Sequence, residues 1–258
     1  SDSCRKDGML YLQKATQVTF SPDNDLDGLA DLYAYPSDLD GSWLRVNMVS
    51  TLDGASAFQN KSGGLGGAGD KAIFRVLRGL CAVVLAGART ATAEGYGQPE
   101  PDTAFTERRS AAGQRPAPRL ALTTRSLTID PDFAPLRDPG TVVITTAGAD
   151  PERRARLVDA GATLVDCGDD SLDPHVVTNY LAASGSPRIL CEGGPSLLGS
   201  FVDADLVDEL CLTISPNLVS GDAPRIAHSD NDDAALHRLR PVHLLTDTDG
   251  YVFSRWSR

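Results

Sequence analysis

Arg188-Ile-Leu-Cys-Glu192-Gly193-Gly194-Pro195-Ser196-Leu197-Leu198-Gly199 is the stretch on which the fold class turns. Arg188–Cys191 is a short apolar run of strand character, the two glycines interrupt it, and Pro195 suits the first position of a helix running to about Val202. The same strand–turn–helix rhythm recurs on either side. Upstream, Trp43–Val49 reads as a strand, Asp53-Gly54 as a turn and Ala55–Phe58 as a short second strand. Asp70 is expected to cap a helix through about Leu80, because Ile73, Val76, Leu77 and Leu80 share one helical face. Cys81–Ala86 is continuously apolar, as a strand covered on both faces must be. Leu120–Thr124, Thr141–Thr145 and Thr163–Val165 read as further strands, with helices from Pro151 and over Pro174–Ala183. Glu209–Ile214 and a hairpin, Val242–Thr246 with Tyr251–Trp256 around Asp249-Gly250, complete the pattern. Alternating strands and helices imply an α/β fold whose sheet is mostly parallel, made mixed by the terminal hairpin. Residues 95–118, rich in Pro, Gly and charge, read as a long functional or mobile loop. Residues 1–40 read as an arm packed on a single domain over 41–258.

Composition narrows the partners. Lys and Arg number 24 against 35 Asp and Glu, a net charge of −11, which argues against nucleic acid or a membrane surface as partner. No apolar run is long enough to span a bilayer, and five scattered cysteines without a C-x-x-C pattern read as free thiols of a reducing, cytoplasmic compartment. The scattered histidines give no zinc-hydrolase or zinc-deaminase spacing, and no metal site is expected. The P-loop and G-x-S-x-G signatures are absent.

Ligands of open α/β sheets lie beyond the carboxyl ends of the strands, so the turns there are the places to search. Gly193 and Gly194 let backbone approach a ligand, and the N–H groups of Ser196, Leu197 and Leu198 would face an anion at the helix start. Glu192 either caps that turn or accepts hydrogen bonds from a sugar hydroxyl. Thr90, in Gly87-Ala88-Arg89-Thr90, either caps a helix or donates to a phosphate, with Glu94 four residues on. Thr124 and Arg125 follow another strand, where a guanidinium fork suits a phosphomonoester. Gly64-Leu-Gly-Gly-Ala-Gly69 matches G-x-G-x-x-G formally, but lacks the acidic strand end of a dinucleotide fold; a loop brought close to a ligand is the better reading. Arg78 is either a solvated helix-end cation or an anion contact, and Asp53 either a turn residue or a carboxylate beside the reacting centre.

Taken in order, Val46-Asn-Met-Val-Ser-Thr-Leu-Asp-Gly54, Leu77-Arg78, Ala82-Val-Val-Leu-Ala-Gly-Ala-Arg-Thr90, Glu192-Gly-Gly-Pro-Ser-Leu-Leu-Gly199, Leu206-Val-Asp-Glu-Leu210 and Ile214-Ser-Pro-Asn-Leu-Val219 resemble the reductase domain of riboflavin biosynthesis. That domain is the C-terminal half of the bifunctional bacterial deaminase–reductase. The resemblance spans about residues 43 to 256 and implies a dihydrofolate-reductase-like fold, NADPH as hydride donor and a homodimer. It implies reduction of the ribosyl group of 5-amino-6-(5-phosphoribosylamino)uracil to ribityl. By the same resemblance Val49, Ser50, Thr90, Glu94, Thr124 and the turn from Gly193 and Gly194 through Pro195, Ser196, Leu197 and Leu198 bind the cofactor. Arg125 is expected to join them at the 2′-phosphate. Arg78 and Glu192 correspond to substrate contacts, for phosphate and sugar, and Asp53 and Glu192 are the candidate proton donors or orienters. Residues 62–78 and 95–115 depart from the family pattern, which leaves a pterin such as dihydrofolate, or cofactor binding without catalysis, as alternative readings.

Overall fold

The computed structural model describes residues 26–58 and 62–258. Most of the arm, with Cys4, therefore lies outside the described residues. The remainder of the arm contains helix α1 (Leu26–Leu32), whose Leu29 and Ala30 are buried with Tyr33 against the body. Strands follow as β1 (Trp43–Thr51), β2 (Val83–Gly87), β3 (Arg119–Thr123), β4 (Thr141–Thr145), β5 (Leu164–Asp166), β6 (Arg188–Cys191), β7 (Glu209–Ser215), β8 (Arg240–Thr246) and β9 (Val252–Ser257). Helices after α1 are α2 (Ala68–Leu80), α3 (Ala88–Ala93), α4 (Thr106–Ala111), α5 (Pro151–Asp159), α6 (Pro174–Ala183) and α7 (Pro195–Asp203).

The strands form one nine-stranded sheet in the order β5-β4-β3-β2-β6-β1-β7-β9-β8. Every pairing from β5 to β7 is parallel, and β9 and β8 add an antiparallel edge. This is the mixed, mostly parallel sheet that the alternation implied. Side chains alternate across it. On β2, Val84 and Ala86 join one core with residues of α1, α2, α3 and α5, while Val83 and Leu85 join a second core with α6 and α7.

Three local expectations change. Ala55–Phe58 does not form a strand: the chain turns back on itself, with Thr51 N–H donating to the Ala55 carbonyl, and only Phe58 makes an isolated bridge. Asp70 does not cap α2, which starts two residues earlier with Gly67 as its cap; Asp70 lies in the first turn. Residues 95–118 are not structureless. The Asp102 side chain accepts from Ala104 N–H and starts a short 3₁₀ turn that leads into α4, while Phe105 is buried against Gly79 of α2. Hydrophobic periodicity is too short in a six-residue helix to signal it.

Two glycines of the 64–69 segment pack against the C-terminal hairpin. A Cβ on Gly67 would lie 2.7 Å from the Tyr251 ring, and one on Gly69 would lie 2.6 Å from Phe253. The start of α2 can touch the β9 edge only without side chains at these positions.

The first half of the β1–β7 pair carries a buried ionic cluster. Glu209, fully buried, faces Arg45 at 2.6 Å and Arg255 at 2.9 Å, and also accepts from the Trp43 indole. Arg45 lies 3.9 Å from the Tyr35 ring, and Arg255 donates to the Leu32 and Ala34 carbonyls, so the cluster ties the arm to the sheet. Burial acts to raise the Glu209 pKa, but the two guanidiniums outweigh it and hold the carboxyl below its ordinary value. Because the folded value is the lower one, this stabilisation is complete above the ordinary glutamate range and is lost as pH falls below it. Glu209→Gln is expected to cost about 3–5 kcal/mol in urea denaturation, and to flatten the acid limb of stability against pH. A variant with unchanged stability and an unchanged acid limb would contradict this assignment.

Candidate functional site

The strands β2 and β6 are neighbours, yet the chain leaves β2 toward β3 on one side and leaves β6 toward β7 on the other. Their helices consequently pack on opposite faces: Ala88 and Ala91 of α3 join one core, Leu198 and Phe201 of α7 the other. A crevice opens between two such connections, at the carboxyl ends of the strands.

The lip of the crevice is built from glycine. Gly87 N–H donates to the Gly193 carbonyl at 2.9 Å, joining the two turns. Gly193 has φ +95°, and a Cβ on Gly194 would lie 2.6 Å from the Thr90 hydroxyl oxygen. Gly194 is the cap residue of α7 and no side chain caps that helix. Pro195 has no N–H, Leu198 N–H returns to the Gly194 carbonyl, and the Ser196 and Leu197 N–H groups are left at the helix start with its dipole. Of the three donors expected from the sequence, the structure thus leaves two. Thr90 is inside α3, whose cap is Gly87, so the capping alternative falls and its hydroxyl faces the Gly193-Gly194 turn.

Other cofactor candidates line the same edge. Val49 and Ser50 end β1 opposite Thr213 and Ile214 of β7. Thr124 follows β3, its hydroxyl accepting from Leu127 N–H at 3.0 Å, and the neighbouring Arg125 is exposed. Glu94 is held differently. Both the N–H and the hydroxyl of Ser62 donate to it at 2.9 Å, so its carboxylate fastens the loop before α2 to the end of α3.

The substrate candidates meet directly. Arg78 donates from Nε and Nη2 to the two carboxylate oxygens of Glu192, each at 2.7 Å, and only 2% of the Glu192 side chain is exposed. The guanidinium lies 4.2 Å from the Phe74 ring and 5.0 Å from that of Tyr96. Tyr96 reaches this position because its N–H donates to the Ala91 carbonyl, closing the end of α3 and turning the ring toward α2. A cleft of about 240 Å³ between α2 and the 99–118 segment runs behind Arg78, with Phe74, Asp102 and Arg109 in its walls.

Asp53 is fastened by its neighbours. Its carboxylate accepts from the Thr51 hydroxyl and from the N–H groups of Val219 and Ser220, at 3.0 and 2.7 Å. These donors, the Thr51 hydroxyl first, hold its pKa below the ordinary value, so the group stays ionised and fastens the 216–220 loop. An ionised, committed carboxylate is a poor proton donor.

Two groups escaped the sequence reading. Asp70, Phe74 and Arg78 recur at four-residue spacing and share a stripe of α2. The four-residue spacing is visible in the sequence, where Asp70 also fits a helix cap. Burial raises the pKa of the Asp70 carboxyl, with the Thr213 hydroxyl bonded to it. Tyr96 had no periodic signal at all, since a helix end aims it.

Among the described residues no group of three or more His, Cys, Asp or Glu could hold a metal, and no helix is long and apolar enough to cross a membrane. Cys81, Cys167, Cys191 and Cys211 are buried and free, and burial pushes the Cys191 thiol up to about 12, which removes it as a nucleophile.

Comparison with known proteins agrees with this geometry. The model of the RibD C-terminal domain family matches residues 42–253. The 2,5-diamino-6-ribosylamino-4(3H)-pyrimidinone 5′-phosphate reductase of Methanothermobacter thermautotrophicus is 28% identical over 198 residues, 76% of this chain and 88% of that protein. The protein of the same name from Archaeoglobus fulgidus is 22% identical over 188 residues, 72% of this chain and 86% of its own. Among solved structures, a pyrimidine reductase-like protein from Corynebacterium diphtheriae superposes with a TM-score of 0.75 at 26% identity, covering 84% of this chain and 91% of that one.

Removing Arg78 would leave the Glu192 carboxylate buried and unpaired. Arg78→Ala is expected to lower stability by about 3 kcal/mol in chemical denaturation, and Arg78→Ala with Glu192→Leu to recover most of it. A single variant as stable as the parent would contradict the pairing.

Proposed function

The chain belongs to the RibD C-terminal domain family, and on that footing we propose that it is a reductase of the riboflavin pathway, taking NADPH and a 6-ribosylaminopyrimidine 5′-phosphate. The observation that carries this reading is the glycine lip at the β2–β6 reversal. It leaves no room for a Cβ at Gly194 and presents the Ser196 and Leu197 N–H groups with the Thr90 hydroxyl. Such a cradle fits a pyrophosphate.

On this reading Gly193 through Leu198 and Thr90 hold the pyrophosphate, Val49 and Ser50 border the nicotinamide, and Thr124 and Arg125 receive the adenosine end. Arg125 pairs with the 2′-phosphate through its guanidinium fork. NADPH, when bound, supplies the hydride that reduces the ribosyl carbon to ribityl. The protein contributes position and exclusion of water, since hydride transfer asks for little else. Glu192 orients the sugar, with Arg78 holding its carboxylate in place and facing the phosphate side. Glu94 and Asp53 are positioning residues, fixing the loops at 62 and 216–220 that border the site. A carboxylate committed as Asp53 is makes a poor proton donor, which leaves the proton to Glu192 or to water. The family resemblance carries the further expectations of a homodimer and a cytoplasmic location.

The resemblance names 5-amino-6-(5-phosphoribosylamino)uracil as substrate, and the archaeal relatives carry the name of its 2,5-diamino-pyrimidinone counterpart. Both present the same ribosyl group. NADPH oxidation with each nucleotide and with dihydrofolate tests the reading: turnover of a ribosylaminopyrimidine is expected. Cofactor binding by calorimetry with no turnover of any of the three would overturn it in favour of a binding protein. Arg125→Ala is expected to raise KM for NADPH by about tenfold and to leave that for NADH unchanged, the signature of one lost charge-assisted contact. Equal effects on both cofactors would remove Arg125 from the 2′-phosphate.

A further inference from the structure

Helix α4 carries Arg109, in the stretch 95–115 where this sequence leaves the family pattern, so the resemblance gives it no role. Arg109 is only 2% exposed, and among the described residues no carboxylate neutralises its charge. The guanidinium is spent on backbone instead. Nη1 donates to the carbonyls of Gly79 at 3.0 Å and Cys81 at 2.7 Å, and Nε donates to the Arg115 carbonyl at 2.7 Å. The Leu80 carbonyl between them accepts from the Gln114 amide at 3.1 Å. Three successive carbonyls at the end of α2, which the helix itself leaves without partners, are thereby taken by one short segment. The same segment holds α2 twice more. The Asp102 carboxylate accepts from Nε and Nη2 of Arg75, at 2.6 and 2.9 Å, and the Phe105 ring packs where a Cβ on Gly79 would come within 2.4 Å of it. Arg78, which grips Glu192, stands inside this clamp, one residue before Gly79.

A buried charge without a counter-charge is costly, and packing alone is served as well by an apolar side chain. What offsets the cost here is the negative end of the α2 dipole, which ties Arg109 to that helix end. We propose that Arg109 is a positioning residue for the substrate: by fixing the last turn of α2 it sets where the Arg78 guanidinium meets Glu192, and so where sugar and phosphate bind. This deepens the functional reading above and rests on it. The path is short, because Arg109 bonds the carbonyl of the residue next to Arg78. Misplacement of a positioned group by about 1 Å costs about a hundredfold in rate, so the double contact of Arg78 with Glu192 tolerates little drift of the turn that carries it. The effect is selective. The glycine lip is built on the ends of β2 and β6, and none of its residues is among the hydrogen-bond partners of Arg109. A guanidinium suits the task because it donates in two directions from one plane, toward α2 and toward Arg115; a Lys ammonium keeps the charge but not the fork.

The test measures KM for the ribosylaminopyrimidine nucleotide that the parent turns over, and KM for NADPH, in Arg109→Met and Arg109→Lys. Arg109→Met keeps the bulk and loses the bonds. Its nucleotide KM is expected to rise at least about tenfold, and that of Arg109→Lys by a smaller factor, with KM for NADPH unchanged in both. A purely structural loss lowers the folded fraction and with it the apparent kcat, and leaves both KM values where they were. Arg109→Lys retains the charge at the helix end, so it serves even if Arg109→Met folds poorly. A second measurement needs no turnover. In urea denaturation, the midpoint shift of an Arg109 variant combined with Glu192→Leu is expected to fall short of the sum of the single shifts, because Arg109 acts through the Arg78–Glu192 pair. If the parent reduces neither nucleotide, the functional reading fails, while this cycle still decides whether Arg109 sets the pair. An unchanged nucleotide KM in every folded variant, a parallel rise in both KM values, or additive midpoint shifts would overturn the inference.

Discussion

Everything at the site depends on one topological constraint: β2 and β6 are hydrogen-bonded neighbours whose chains depart in opposite directions. The reversal sends α3 to one face and α7 to the other, and only at such a parting do two strand ends stand clear of the helices that follow them. The Gly87–Gly193 hydrogen bond then brings the two turns within reach of each other. On the proposed function a negative protein holds two anions there through local N–H groups and a few guanidiniums. The net charge of −11 describes the surface as a whole.

The second half of the site is built on α2 and depends on the first. Glu192 follows β6 immediately before the glycine turn, and its side chain faces α2. Arg78 neutralises it, and the rings of Phe74 and Tyr96 flank the guanidinium. On the proposed reading, cofactor and substrate regions share one strand end, the cofactor turn following Glu192 in the chain and the substrate groove facing its side chain. Closeness of this kind is what hydride transfer requires.

The strand–helix alternation and the hairpin were legible from the sequence because buried strands such as β2 read as unbroken apolar runs. Pro174 and Asp173 mark the start of α6 as clearly, the Asp173 carboxylate capping it. What the sequence hid was tertiary. The glycines near 67 looked like a ligand loop, and only the fold reveals that Tyr251 and Phe253 occupy the space. Asp53 looked catalytic because it ends a motif, while its partners lie more than 160 residues away at Val219 and Ser220. Arg45 and Glu209 gave no sign that two charges in separate strands would be buried together.

The central claim is that the glycine lip at the β2–β6 reversal holds the cofactor while the α2 groove stays open for the substrate. A crystal structure with NADP⁺ tests it most directly. The expected result is a pyrophosphate on the Ser196 and Leu197 N–H groups, with the nicotinamide beside Val49 and the Asp70–Arg78 stripe uncovered. A dinucleotide bound elsewhere, for instance in the cleft between α2 and the 99–118 segment, would contradict the account.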